Sequence, residues 1–142
     1  MKKTFFDTNV LVYAADRARP GKRDRARALI RAGLAERSAV ISTQVLQEYF
    51  VTVTRKLGVD PLAAKSTLSA FGGFELVQVS KEIIDRAIDV YVLEQISFWD
   101  ALIVSAARSA ACDELLTEDL NPDHSYAGVL AVDPFDLATR EA

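Results

Sequence analysis

A chain of 142 residues, half of them hydrophobic and 26% charged, has the size and mixture of one ordinary globular domain, which sets aside intrinsic disorder and fibrous repeats. Its single cysteine, Cys112, can close no internal disulfide and lies in an apolar stretch, so a packed thiol in a reducing compartment is expected. The net charge of −3 argues against a nucleic-acid binder until it is located: residues 17–37 carry Arg17, Arg19, Lys22, Arg23, Arg25, Arg27, Arg31 and Arg37 against Asp24 and Glu36, eight cations to two acids, which leaves −9 elsewhere.

The short aromatic run through Phe5-Phe6 predicts a first strand, with Asp7 at its carboxyl end. Asp7 and Asn9 interrupt what would otherwise imitate a signal peptide, and no window is apolar enough to span a membrane, so a cytoplasmic domain over residues 1–142 is expected. Pro20-Gly21 marks a loop, and residues 23–36 read as a helix burying Ala26, Leu29, Ile30, Ala32 and Leu34. A strand follows at Ala39–Ile41. Ser42 or Thr43 then caps a helix to about Leu57, with Val45, Leu46, Tyr49, Phe50 and Val53 on its apolar face and Gly58 at its end.

Asp60-Pro61 opens a helix to about Phe71, and Glu75–Val79 reads as a strand after Gly72-Gly73. Ser80 starts a helix to about Glu94 that is expected to bury Ile83, Ile84, Ala87, Ile88, Tyr91 and Val92. From Ser97 a helix apolar almost all round runs to about Ala111. Glu114–Thr117 and Gly128–Val132 read as the last strands, separated by the turn-prone stretch 119–123. Helices alternating with short strands predict an α/β fold, a three-layer α/β/α sandwich around a mainly parallel sheet. Strand ends and helix starts then gather at one edge, where ligands bind.

Four acids have contexts that place them at such borders: Asp7 ends a strand, Glu48 flanks an apolar helix, Asp100 opens a buried helix, and Asp119 follows a strand. Each also has a purely structural reading. Asp7 suits an Asx turn, Glu48 a solvated helix flank, Asp119 a turn, and Ser97-x-x-Asp100 is a capping box. Brought together in a partly dry cleft, the carboxylates would repel one another unless a cation joined them, and an all-oxygen set selects Mg²⁺ or Mn²⁺. Such a site suits phosphodiester hydrolysis. The basic stretch could bind RNA phosphates, with Arg23 and Arg27 as its candidates, or form a solvated helix face. His124 reads as a loop histidine, and Phe98 and Trp99 as packing residues.

Asp-Thr-Asn-Val-Leu-Val-Tyr from residue 7, Gln-Glu-Tyr-Phe around 48, Phe-Trp-Asp-Ala-Leu-Ile around 100 and Leu-Leu-Thr-Glu-Asp-Leu around 119 together resemble the PIN-domain family, and specifically its VapC-type toxin ribonucleases. The resemblance implies a metal-dependent ribonuclease with Asp7, Glu48, Asp100 and Asp119 as its acidic quartet and Asn9 and Thr117 orienting them. Glu118 could replace Asp119, and Asp123 is a more distant candidate. It also implies structured RNA such as transfer RNA as substrate, a small antitoxin covering the acidic cleft, and a homodimer. A non-catalytic RNA-binding domain of the same fold is the alternative. A haloacid-dehalogenase-like phosphohydrolase would need a second Asp where this chain has Asn9, and a receiver-type domain finds no suitable Asp at the end of a middle strand.

Overall fold

The computed structural model describes residues 2–136. Six strands, β1 (Thr4–Phe6), β2 (Ala39–Ser42), β3 (Glu75–Val77), β4 (Glu114–Leu116), β5 (Ser125–Tyr126) and β6 (Val129–Val132), form one sheet in the order β3-β2-β1-β4-β6-β5. Every pairing is parallel except that of β5 with β6. Parallel strands covered on both faces read as unbroken apolar runs, and in β2 every residue is buried. The helices flanking the sheet are α1 (Thr8–Tyr13), α2 (Pro20–Ala35), α3 (Thr43–Arg55), α4 (Pro61–Ala70), α5 (Lys81–Glu94) and α6 (Phe98–Ser109), with a 3₁₀ turn at Phe71–Gly73. The α/β sandwich around a mainly parallel sheet is the architecture the alternating pattern predicts.

Helix starts follow local chemistry. The side chains of Ser42, Ser80 and Ser97 accept from the backbone N–H groups of Val45, Ile83 and Asp100, and Asp60 accepts from Leu62 and Ala63 beside Pro61 in the first turn. Helix α6 is buried from Ala101 through Ala107 because it lies between the sheet and α5. On the other strands' side, α2 comes close enough to β1 and β2 that a methyl on Gly33 would sit 2.9 Å from the Ala39 Cβ and 3.3 Å from the Phe6 ring.

The structure corrects several expectations. Helix α1 is absent from the periodicity reading; six residues are too few to show a period, and it exists because Asp7 accepts from the Thr8 N–H while Val10 and Leu11 drop into the core. On α5 the buried stripe is Ile83, Ala87 and Val90, whereas Ile84, Ile88, Tyr91 and Val92 are exposed. As an outer layer, α5 covers α6 with one narrow face only. Ala32 faces solvent, and Trp99 is 62% exposed, touching Phe98 edge-on rather than packing inside. Strand β3 stops at Val77, where Val79 N–H turns to the Thr43 hydroxyl. Strand β5, two residues long, gives no sequence signal. Cys112 is buried as expected, and burial pushes its thiol up to about 12, which keeps it unreactive.

Candidate metal centre

Chain order reverses on either side of β1, which has β2 on one flank and β4 on the other, and the crevice beyond these strand ends is where an open α/β sheet binds ligands. Phe6 pairs with Leu116, so Asp7 and Thr117 are the next residues out of the sheet. The Asp7 N–H donates to the Leu116 carbonyl at 3.0 Å. Its carboxylate is 4% exposed and accepts at 2.7 Å from both the Thr8 N–H and the Thr117 hydroxyl. The same Thr117 oxygen accepts the Asp119 N–H at 3.0 Å, and Asn9 Nδ2 donates to Asp119 Oδ2 at 3.1 Å. Asp100 enters from the first turn of α6. Oxygens of Asp7, Asp100 and Asp119 lie within 4.8 Å of one another.

Burial pushes the Asp7 carboxyl up to about 7 against the pull of its Thr117 and Thr8 hydrogen bonds, and the charges of Asp119 and Asp100 push the same way. Asp100 is raised too, chiefly by burial, then by Asp119 and Glu48, with the Ser97 hydrogen bond opposing. Two unit charges 4.8 Å apart repel by roughly 3–4 kcal/mol at an effective dielectric of about 20. A divalent cation reverses the sign of that interaction. The trio offers only carboxylate oxygens, with no thiol or imidazole, which suits a hard ion. Two buried acceptors, Asn9 Oδ1 and Gln44 Oε1, have no partner among the described residues, though both belong to side chains that hold site carboxylates. Unmatched acceptors beside a cation site fit the hydrogens of its water ligands.

The remaining predicted residues occupy distinct places. Glu48 lies outside the trio but beside it: it accepts from the Thr8 hydroxyl at 2.7 Å and Gln44 Nε2 at 3.3 Å, and its charge acts on Asp100. Glu118 turns away from the trio, taking Lys22 Nζ at 2.6 Å on one oxygen and the Tyr13 hydroxyl at 2.6 Å on the other. Asp123, His124 and Cys112 lie outside the trio; Asp123 is an exposed turn residue, and His124 reaches Glu94 at 3.5 Å. Arg23 pairs with Asp24, and Arg27 donates to the Ala14 carbonyl at the end of α1.

Sequence reasoning missed the residues that brace the site. Thr8 and Gln44 orient Glu48, and Gln44 also donates to the Trp99 carbonyl, tying α3 to the start of α6. Lys22 lies over the Tyr13 ring while binding Glu118, so α1, α2 and the segment after β4 are clamped together next to Asp119. The signal for Gln44 was its position four residues before Glu48 on the same helix face. None existed for Lys22, one cation among eight.

A family model described as PIN domain matches residues 4–126, and the chain belongs to that family. Among curated protein sequences none matches it. Solved structures share the fold at low identity. A toxin–antitoxin complex from Klebsiella pneumoniae is 20% identical, with a TM-score of 0.70 over 95% of this chain and 100% of that one. Mycobacterium tuberculosis VapC20, described as a sarcin–ricin-loop-cleaving toxin, is 19% identical with a TM-score of 0.68 over 90% of this chain and 97% of that one. VapBC2 from Rickettsia felis, solved with a promoter DNA fragment, is 20% identical with a TM-score of 0.68 over 90% and 96%.

Proposed function

We propose that this chain is a metal-dependent ribonuclease, working with Mg²⁺ or Mn²⁺ in the cytoplasm, and the toxin half of a toxin–antitoxin pair. The observation that carries the reading is the convergence of Asp7, Asp100 and Asp119 from three distant parts of the sequence to within 4.8 Å. In this reading the trio holds the cation and Glu48 is the fourth acid. Bound there, a divalent ion makes a water more acidic and offsets the charge that builds on the phosphate. Hydrolysis adds water to phosphorus and breaks the bond to one ester oxygen, which leaves with a proton.

The chain's own work is preorganisation. Thr117 binds Asp7 and the Asp119 backbone with one hydroxyl, Asn9 steadies the Asp119 side chain, and Thr8 and Gln44 hold Glu48, so three of the four carboxylates are kept from turning apart. RNA as the substrate class is supported by the description of VapC20, and an antitoxin by the complexes among the similar structures. A carboxylate-lined cleft attracts a cationic anchor on such an inhibitor. The exposed stripe of Ile84, Ile88 and Tyr91 on α5 supports a homodimer through that helix.

The purified chain, freed of any partner, is expected to cleave RNA with Mg²⁺ or Mn²⁺ and to stop in EDTA. Asp100→Asn is expected to lower the rate by at least about a hundredfold, the scale of losing one preorganised charge contact in a catalytic site. RNA binding without cleavage in either metal would make this a binding domain instead.

A further inference from the structure

A groove of about 770 Å³ leads away from the carboxylates. Its lining takes in Asp119 and Arg19 and, in order along α3 and just past its end, Glu48, Val51, Lys56 and Leu57. We propose that this groove seats the RNA strand beyond the bond that is cut, with Arg19 and Lys56 gripping backbone phosphates and the apolar wall receiving a base. The proposal rests on the ribonuclease reading and names the part of the surface that binds the substrate, away from Arg23 and Arg27.

Arg19 and Lys56 are the cations among the residues that line the groove, and both have donors left to give. Lys22, Arg23, Lys81 and Arg86 are each matched to an acid, and Arg27 is bound to a backbone carbonyl. Lys56, exposed at the end of α3, has no acidic partner among the described residues. Arg19 uses one terminal nitrogen on Asp16, at 3.2 Å, and its side chain remains 61% exposed. Asp16 is itself buried and fixed by the Ala18 N–H at 3.0 Å, so the guanidinium is aimed into the groove mouth with most of its five donors unspent.

The order of chemistry along the groove matches a nucleotide strand. With one phosphate at the carboxylates, where a cation would hold it, Val51 and Leu57 would give a base an apolar surface, and Arg19 with Lys56 would meet the next phosphates. A cationic inhibitor peptide fits only the acidic end and is repelled by the other.

The test compares wild type with Arg19→Ala/Lys56→Ala, and with Lys56→Ala alone because removing Arg19 leaves Asp16 buried without its partner. Two substrates are cleaved in Mg²⁺: a dinucleotide holding only the scissile phosphate and a single-stranded RNA of roughly ten nucleotides. RNA affinity is read separately by fluorescence anisotropy across a salt series. The double variant is expected to raise KM for the longer RNA at least tenfold, with kcat and dinucleotide cleavage held. Its slope of log affinity against log salt should fall by about 1.4, and that of Lys56→Ala by about 0.7, the value for one phosphate contact on a single strand. An equal loss on both substrates, or an unchanged salt slope, overturns the proposal and gives the groove to a protein partner. A wild type that cleaves neither substrate overturns the ribonuclease reading, while a fall in slope would still support the groove.

Discussion

Thr117 is the side chain on which the centre's electrostatics turn, since its single hydroxyl lowers the cost of a buried Asp7 charge and fixes the backbone that presents Asp119. Replacing it with valine keeps the shape and removes the hydrogen bond. Without that bond Asp7 rises further, so the acidic limb of the activity profile should move to higher pH in Thr117→Val and return in Thr117→Ser; an unmoved limb would remove Thr117 from the site's chemistry. Asp7 also links stability to pH. Between its ordinary 3.8 and about 7, the folded chain binds more protons than the unfolded one, so without metal this contribution is lost as pH rises. At about 1.4 kcal/mol per pH unit, that span sets a scale of roughly 4 kcal/mol. Thermal melts in EDTA from pH 4 to 8 should therefore show wild type losing ground to Asp7→Asn, and Mg²⁺ should restore wild type alone at pH 8. The acids at 7, 48, 100 and 119 were visible in the sequence because each interrupts an apolar context. Thr8 and Gln44 were not, because a hydroxyl and an amide in a helix have many innocent readings.

At the scale of elements, the capped helices and apolar strands could be read directly, since Ser42, Asp60-Pro61, Ser80 and Ser97 signal helix starts by local chemistry. Elements held by tertiary contact could not. Helix α1 depends on Asp7 and the core below it, and β5 exists only through its pairing with β6. The face of α5 was misassigned because both of its apolar stripes satisfy a helical period, and only the position of α6 decides which is covered. Gly33 records another contact that no pattern reveals. Alanine there gains helix propensity of up to about 1 kcal/mol yet drives a methyl into Ala39. We expect Gly33→Ala to lower stability by about 1–3 kcal/mol in denaturant titration, the usual cost of overpacking; a stabilised variant would show that α2 shifts freely over the sheet.

For the whole molecule, a net charge of −3 conceals a division of labour: acids converge at one crevice while the cations spread around α2 and into the groove. The linear charge count showed the segregation but not which cations line the groove, because that depends on where α2 begins and α3 ends. The exposed stripe on α5 should make the chain a dimer in solution, and Ile88→Glu should yield monomers in sedimentation equilibrium while leaving the fold's circular dichroism unchanged; a wild-type monomer would leave the stripe without that role. Mn²⁺ titration followed by electron paramagnetic resonance tests, without any substrate, whether Asp7, Asp100 and Asp119 hold a divalent cation. The wild type should bind Mn²⁺ and release it to Mg²⁺, and Asp7→Asn and Asp100→Asn should not bind it. Equal Mn²⁺ binding by wild type and both variants, or none by wild type at pH 8, would contradict that role for the trio.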